Sequence, residues 1–587
     1  MITNKWQLIE TDANLDLMAE VLGIKKTTAV VMANRGIRSK KAALKYLRCD
    51  LDQPEILNMK DACKAFERIN YAIDNQQRIM IYGDYDADGV MSTVILYKAL
   101  QACGAKLHYY IPSREEEGYG LNIAAINSIK ASDYELIITC DNGISALDEI
   151  SEANKLGIDV IVIDHHEPGF VEDGDERHDV IPDAFAVIDP KQADCLYPFK
   201  EMCAGGLAFS LMKAYFEYSS RDFTSLHDEL LAFAAISTIC DIVDLSSDNR
   251  AIVKNGLAAL NLNKNLNAGL AQLITLKGYM EKPIDTFTLG FVIGPCINAT
   301  GRLESAEMAV RLLLSNDKNE QINLAQTLSD LNEERKNLTK SCSDRMLEKC
   351  EQMAEDYNVL VVVDYETHES IAGIVAGRVK EKLHKPVILL TKGVECGILK
   401  GSGRSIPAYN MFEALYANRD LFTRFGGHSM AAGLSINEDK VAELLQRLNA
   451  DFNLSADELQ PFIEIDMELS PEDVTLELSK ELEYLSPFGR GNREAIFSSY
   501  AMPVSSLRII DNKNTLIFTF GNIKAIAFGL NDVFLNRLQE RYTEQAYRRI
   551  VSGDIQGLVM DLAYTVETNT YNGRTSVQMR LKDFRIL

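Results

Sequence analysis

The sequence predicts an α/β protein: a parallel-sheet domain joined by a long helix to a second, smaller α/β domain, with a β-barrel at the C-terminal end. Three observations predict it. From about residue 78, short apolar runs alternate with amphipathic segments, the pattern of a parallel sheet covered by helices. Between 315 and 356 neither Pro nor Gly interrupts a polar, heptad-flavoured stretch that includes NLAQTLSDLNEERKNLTKSCSDRMLEKCEQM. From about 461 the pattern changes to short strands and turns and closes near a YNGR hairpin signal, as in small barrels.

Taken in order, residues 1–75 read as a helical segment, with LDLMAEVLGI, SKKAALKYL and KDACKAFERINYAI as its pieces. Residues 76–314 form the main parallel-sheet domain, 315–356 the connecting helix, 357–455 the second α/β domain (NVLVVVD, GIVAGRVKEKL, KPVILL) and 461–587 the barrel. A length of 587 residues suits about three or four domains. The net charge of −24 excludes a generic nucleic-acid coat protein, whose affinity rests on Lys and Arg at phosphates. It leaves room for a nucleic-acid enzyme with a local basic groove, and abundant carboxylates suit hard divalent metals. The eleven cysteines contain no CxxC pair, which argues for reduced, buried thiols in a cytoplasmic protein and against zinc ribbons or disulfide frameworks. MITNKWQLIETD has no apolar core of a secretory signal, and the longest apolar run, LLAFAAISTIC, is too short to span a bilayer. A membrane role is therefore not expected.

Four strand candidates end alike. RIMIYGD closes on Asp84, ELIITCD on Asp141, VIVID on Asp164 and FAVID on Asp189. One Asp after a strand is usually a turn former or helix cap. Four in series place carboxylates along the edge where open α/β sheets bind ligands, which points to a metal site. GDYDADGV adds Asp86 and Asp88 at alternate positions before a helix. The match to a calcium loop is partial, since no bidentate Glu follows and the flanks are strand and helix. LLAFAAISTICDIVDL reads as a buried helix running into Asp241 and Asp244. With His165, these acids make an oxygen and nitrogen donor set without sulfur, suited to Mn²⁺ or Mg²⁺. There are too many ligands for one ion. Two ions about 3.5–4 Å apart would use them, and the matching reaction is phosphoester hydrolysis.

DHH at 164–166, preceded by DYDAD and CDNG, resembles the DHH phosphoesterase superfamily. GGHSMAAG at 426–433 resembles the signature of its DHHA1 companion domain. EEGYGLN, GPCINATGRL, GSGRSI and LEYLSPFGRGN are similar to segments of the RecJ family of single-strand-specific exonucleases, and the resemblance covers essentially the whole chain. It implies a DHH catalytic domain, a DHHA1 domain and a C-terminal OB-type barrel that holds the strand. PFGRGN departs from the family pattern at Arg493 and Ala495, where prolines are expected, which affects the turn rather than the domain.

By this resemblance Asp86, Asp88, Asp141, His165 and Asp241 are metal ligands, with Asp141 as the bridge. His166 touches the scissile phosphate or orients a ligand rather than binding metal directly. Asp84 supports the ligands from behind, and Asp164 fixes the turn and the imidazole tautomers. Asp189 and Asp244 receive no role. Arg114 matches a position at the terminal phosphate. Ser402 and Arg404 belong to a Gly-rich anion pocket. Arg302 and Arg378 are further phosphate candidates, Arg378 the weakest, against the commoner fate of an Arg as a surface ion pair. His428 is expected across the cleft from the metals. Tyr119 either stacks on a base or packs in the core, with even odds.

The implied activity is 5′-to-3′ hydrolysis of single-stranded DNA to mononucleotides in recombination and repair, alongside a single-strand-binding protein and a helicase. A DHH phosphodiesterase for dinucleotides, very short oligonucleotides or pyrophosphate is the rival enzyme reading, but such relatives lack the barrel and the helical start. An inactive replication scaffold is the non-enzyme reading; it would have lost acids that this sequence retains.

Overall fold

The structure is a computed structural model, and it describes every residue except 1–3, 12–14, 52–54, 115, 174, 175, 394, 396, 456 and 572. The chain forms two compact units: Gln53–Val243 with Asn255–Gln460, and Met1–Asp52 with Asp244–Lys254 and Pro461–Leu587.

The larger unit is built on two sheets. Five strands, β1 (Arg78–Tyr82), β2 (Lys106–Tyr110), β3 (Leu136–Cys140), β4 (Asp159–Ile163) and β5 (Ala186–Ile188), lie parallel in the order β2-β1-β3-β4-β5. Except in the edge strand β2, their residues are buried nearly without alternation, because helices cover both faces. This order reverses direction between β1 and β3, so the crevice beyond their carboxyl ends is the topological switch point. Helix α1 (Ala87–Ala102) follows β1 and is apolar almost all round, since it packs against both α2 (Ala204–Tyr218) and α3 (Thr224–Cys240).

The connecting helix α4 spans Lys318–Met353, a little shorter than the pattern predicted, and starts on Asp317, whose carboxylate accepts from Asn319 and Glu320 N–H. It buries Ala325 and Leu328 in its first half. Further along, Cys342, Met346 and Cys350 enter the core of the second domain against Leu360, Val362, Ile371 and Val375. That domain has the sheet order β9-β10-β8-β7-β6, from β6 (Leu360–Val363), β7 (Val387–Lys392), β8 (Ile398–Arg404), β9 (Phe422–His428) and β10 (Ala431–Asn437). β6 and β7 are parallel and the remaining pairs antiparallel. Helix α5 (Glu369–Leu383) packs on β7 and β8.

In the smaller unit a seven-stranded sheet carries the C-terminal barrel. Its two longest strands, Val559–Tyr571 and Arg574–Ile586, pair antiparallel with Tyr571 opposite Arg574. Asn572 of the YNGR turn lies outside the described residues. The helical start is not wholly helical: Lys5–Leu8 is a strand, paired parallel with Phe462–Ile465. Nor does it stay together. Met18, Ala29, Val31 and Met32 share one core with Leu478, Phe497, Phe518 and Leu562 of the barrel. The helix Ala62–Asp74 instead belongs to the larger unit, where Arg68 meets Asp159 at 2.6 Å. The ten described cysteines form no disulfide, and eight are buried. Among the described residues, no helix is long and apolar enough to cross a membrane.

Candidate metal centre and the cleft beside it

Backbone hydrogen bonds carry the sheet one residue past its strands, and these added residues are the acids. Asp141 N–H donates to Ile163 O at 3.1 Å, and Asp164 N–H to Ile188 O at 3.0 Å. Asp141 sits at φ +64°, a left-handed conformation that Asp tolerates better than most residues and that clusters at functional sites. Asn142 ties the switch point together, donating from Nδ2 to Tyr82 O at 3.3 Å and Cys140 O at 2.9 Å.

The acids converge. His165 Nε2 lies 3.1 Å from Asp141 Oδ1, 3.6 Å from Asp88 Oδ2 and 3.8 Å from Asp241 Oδ2. Three sets of donor atoms each fall within 4.8 Å of one another: Asp84, Asp86 and Asp141; Asp88, His165 and Asp241; and Asp141, His165 and His166. Burial, and then mutual repulsion, raises the carboxyls of Asp84, Asp86, Asp141 and Asp241 above their ordinary range. Burial lowers His165 to about 4 despite Asp88 beside it, so the ring is neutral at pH 7, as a metal ligand must be.

Each acid is held differently. Asp86 caps α1, accepting from Asp88 and Gly89 N–H through Oδ1. Asp88 is fixed by Ala204 N–H at 2.8 Å, Gly205 N–H at 2.7 Å and the Ser237 hydroxyl. Those two amides open α2, whose N-terminal end favours an anion. Asp241 ends α3, where the helix dipole opposes a negative charge. Asp84 Oδ1 is buried without a hydrogen-bond partner. An orphaned carboxylate oxygen, an acid set against a helix dipole and mutually repelling neighbours together fit a bound cation. Cys203 and Cys240 lie nearby, but burial pushes both thiols up, so no thiolate joins the set. The donors therefore fit an oxygen- and nitrogen-preferring ion.

The three residues of the DHH triplet make different contacts. Asp164 is buried, and its Oδ1 accepts from His165 N–H, His166 N–H and His166 Nδ1 (2.7 Å), while Oδ2 accepts from Ile144 N–H. Burial alone would lower His166, but the Asp164 hydrogen bond and charge outweigh it and raise the ring to about 9. The same contact overcomes burial at Asp164 and lowers it to about 2. His165 is buried, whereas the His166 side chain is 45% exposed. Asp189 is buried beside this edge and raised to about 8, first by burial and then by Asp164; it lies outside all three donor sets. Asp244 pairs with Arg490 of PFGRGN at 2.9 Å in the smaller unit.

A cleft of about 740 Å³ opens beside the centre. Arg114, Tyr119, Arg302, Ser402 and Arg404 line it. Tyr119 joins cleft to centre: its ring is exposed, and its hydroxyl donates to Asp141 O at 2.8 Å and lies 3.2 Å from His166 Nδ1. It is therefore not a core aromatic. Arg114 stacks over Tyr85 at 5.1 Å. Arg404 bonds Ser402 Oγ and Gly403 O, both at 2.8 Å. Gly373 leaves the space it needs, because a Cβ there would lie 2.5 Å from Arg404 Nη2. Arg302 donates to Ser370 O and is lowered to about 10 by burial and then by Arg114. Two expected residues do not line the cleft. Arg378 is exposed on α5, one turn after the lining Ile374, and does not itself line the cleft. His428 is exposed two residues beyond Gly426, the last lining residue of β9.

Several site residues had no signal in the sequence reading. Ser237, Ala204 and Gly205 hold Asp88 but lie 35 residues or so apart on two helices. Asn298, whose Oδ1 accepts from Ala87 N–H at 2.8 Å, lay inside the quoted GPCINATGRL and could have been found there. Lys400 and Arg424 also line the cleft.

The comparisons agree with this architecture. Residues 78–238 match the DHH family N-terminal domain, 356–453 the DHHA1 domain and 465–583 the RecJ OB domain. The single-stranded-DNA-specific exonuclease RecJ of Bacillus subtilis is 37% identical over 99% of this chain and 70% of its own. The Escherichia coli enzyme of the same name is 31% identical over 97% of each chain. The crystal structure of Thermus thermophilus RecJ in complex with Mn²⁺ superposes with a TM-score of 0.81 at 28% identity, covering 99% of this chain and 79% of that one. The chain belongs to the RecJ family of single-stranded-DNA-specific exonucleases.

Proposed function

We propose that this protein is a metal-dependent exonuclease that hydrolyses single-stranded DNA from the 5′ end to mononucleotides, in DNA recombination and repair in the cytoplasm. The observation that carries the reading is the convergence of five aspartates and His165 at the switch point of a parallel sheet, beside an arginine-lined cleft. The proposed domains are a DHH catalytic domain at 76–314, a DHHA1 domain at 357–455 and an OB domain at 461–587, with 1–75 leading in and 315–356 connecting.

Two ions, Mn²⁺ or Mg²⁺, would be held by Asp86, Asp88, Asp141, His165 and Asp241, with Asp141 as the ligand common to both. The orphaned Oδ1 of Asp84 favours direct ligation over support from behind. Bound divalent ions supply an activated water and neutralise charge at the phosphate. His166, kept cationic by Asp164, donates a proton-bearing nitrogen toward the scissile phosphate. Arg114, Ser402 and Arg404 grip the terminal 5′-phosphate, and Arg302 backs them. Tyr119 offers an exposed ring to the first base. The expected partners are single-stranded DNA, a single-strand-binding protein and a helicase.

The test uses purified protein with Mn²⁺ and strands labelled at the 5′ or the 3′ end. Early release of 5′ label as mononucleotide is expected, with no digestion of blunt duplex. Asp141→Ala is expected to lose at least 10²-fold in rate. Digestion starting from the 3′ end would contradict the polarity, and full activity in Asp141→Ala would contradict the ligand assignment.

A further inference from the structure

We propose that Phe287 and Phe291 form a stacking platform for nucleobases of the single strand, beside the helix end that carries Asp241. The inference rests on the exonuclease reading and extends it to how the strand is held. The two rings stack with centroids 5.0 Å apart and planes 20° from parallel. They are 57% and 68% exposed, although a stacked Phe pair is ordinarily core material.

Their placement is set by the backbone. The segment Thr288–Ile293 is a π-helix, a form that is rare but frequent at functional sites. It packs against α3 with no room to spare. A Cβ on Gly290 would lie 3.2 Å from Ile239 Cγ2, and one on Gly294 would lie 2.2 Å from Cys240 Sγ. Ile239 and Cys240 directly precede Asp241. Gly290 and Gly294 therefore seat the segment on the end of α3 while Phe287 and Phe291, four residues apart, face solvent. Ile242, the residue after Asp241, is also exposed, at 64%, and turns the chain with φ +58°.

Nucleobases suit such a surface better than a protein or lipid partner. It is small and aromatic, and the segment that carries it packs on the two residues that precede Asp241. Stacking is tolerant of sequence, as an exonuclease requires, because every base offers a π-face. Among the described residues lining the arginine-rich cleft, Tyr119 is the one exposed ring, so bases further along the strand need another support.

Strand binding is read without cleavage, in the full chain carrying Asp141→Ala. The probes are 5′-phosphorylated oligonucleotides with 2-aminopurine at successive positions. Quenching at one or two adjacent positions is expected. Replacing both rings (F287L with F291L) should abolish that quenching and weaken strand affinity about tenfold, the usual worth of one stacked base. Tyr at both positions should retain quenching and affinity within twofold. A strand abasic at the quenched positions should bind the Phe and Leu forms equally. Equal strand affinity of the Phe and Leu forms would overturn the platform, as would equal defects in the Leu and Tyr forms, which would mark a packing role. Absence of 5′ label release by the unmutated enzyme would count against the exonuclease reading and leave this binding test standing.

Discussion

Asp84, Asp86, Asp141 and Asp241 are costly as free carboxylates, and that cost is measurable. All four are raised by burial and by one another. A carboxyl raised in the folded state favours folding below its ordinary value of 3.8, and that contribution is lost as pH rises through the folded value. Metal-free protein should therefore become less stable as pH rises above the ordinary carboxyl value of 3.8, and Mn²⁺ should remove the trend. Asp84→Asn is expected to raise the melting temperature in EDTA by about 2 °C, since it removes one unpaired buried charge, yet to lower it relative to wild type in Mn²⁺. Melting curves at two pH values with and without Mn²⁺ decide this; a variant equally destabilised in both would show that the Asp84 carboxylate serves structure alone. The residue level also explains the paired histidines. Asp164 binds the outward imidazole and leaves the inward one to the acids.

Helix ends and sheet ends do the positioning. Asp88 depends on the first amides of α2, and Gly205 is there because a Cβ would meet Ser237 Oγ at 2.3 Å. Gly205→Ala should push Ser237 and Asp88 apart and weaken Mn²⁺ binding by at least about tenfold, the usual effect of disturbing a ligand's support. Calorimetric titration that finds unchanged affinity would remove Gly205 from the argument. The long helix α4 is docked by a second contact, Arg345 to Asp364 at 2.6 Å, just beyond β6. Burial would raise Asp364, but the Arg345 and Thr367 hydrogen bonds outweigh it and hold the carboxyl below its ordinary range. A lowered carboxyl stabilises above 3.8 and loses that contribution as pH falls through its folded value. Asp364→Asn should thus cost about 1 kcal/mol at pH 7, discounted because Arg345 is a third exposed. The gap to wild type should close as pH falls below the ordinary carboxyl value of 3.8 and through the lower folded value. A constant gap from pH 7 to 3 would mean that charge is irrelevant there.

The smaller unit is assembled from three separated stretches of chain, which sets how it can be divided. Met18, Ala29, Val31 and Met32 complete the barrel's core, and Lys5–Leu8 pairs with Phe462–Ile465. Arg250 is fully buried in the same unit, over the Tyr46 ring at 3.9 Å and bonded to Ser486 O at 2.7 Å. A fragment of residues 461–587 alone would expose those apolar faces. It is expected to aggregate or to melt without cooperativity. Adding residues 1–52 should restore part of the fold. Cooperative melting of the fragment alone at the temperature of the full chain would show the barrel to be self-sufficient.

Much of the architecture was legible in the sequence because its signals are local. Strands buried on both faces read as unbroken apolar runs, and each run here stops at an acid that the sheet then holds at its edge. The long helix was legible because nothing in 315–356 breaks one. The strand Lys5–Leu8 was not legible, since four residues pair only because a distant segment offers an edge. Arg378, the weakest of the expected phosphate contacts, is exposed on α5 outside the cleft lining, and its local motif alone could not place it.

By itself the sequence determined that acids and an imidazole stand at the carboxyl ends of parallel strands, and hence that a hard cation and a phosphoester suit them. Only the tertiary structure decided which acids meet. Asp241 and Asp244 are three residues apart and chemically alike. One faces His165 Nε2 at 3.8 Å and the other pairs with Arg490 at 2.9 Å, the boundary between the two units falling between Val243 and Asp244. The left-handed turn at Ile242 takes the chain out of α3 between them, and what each carboxylate then encounters depends on residues tens to hundreds of positions away.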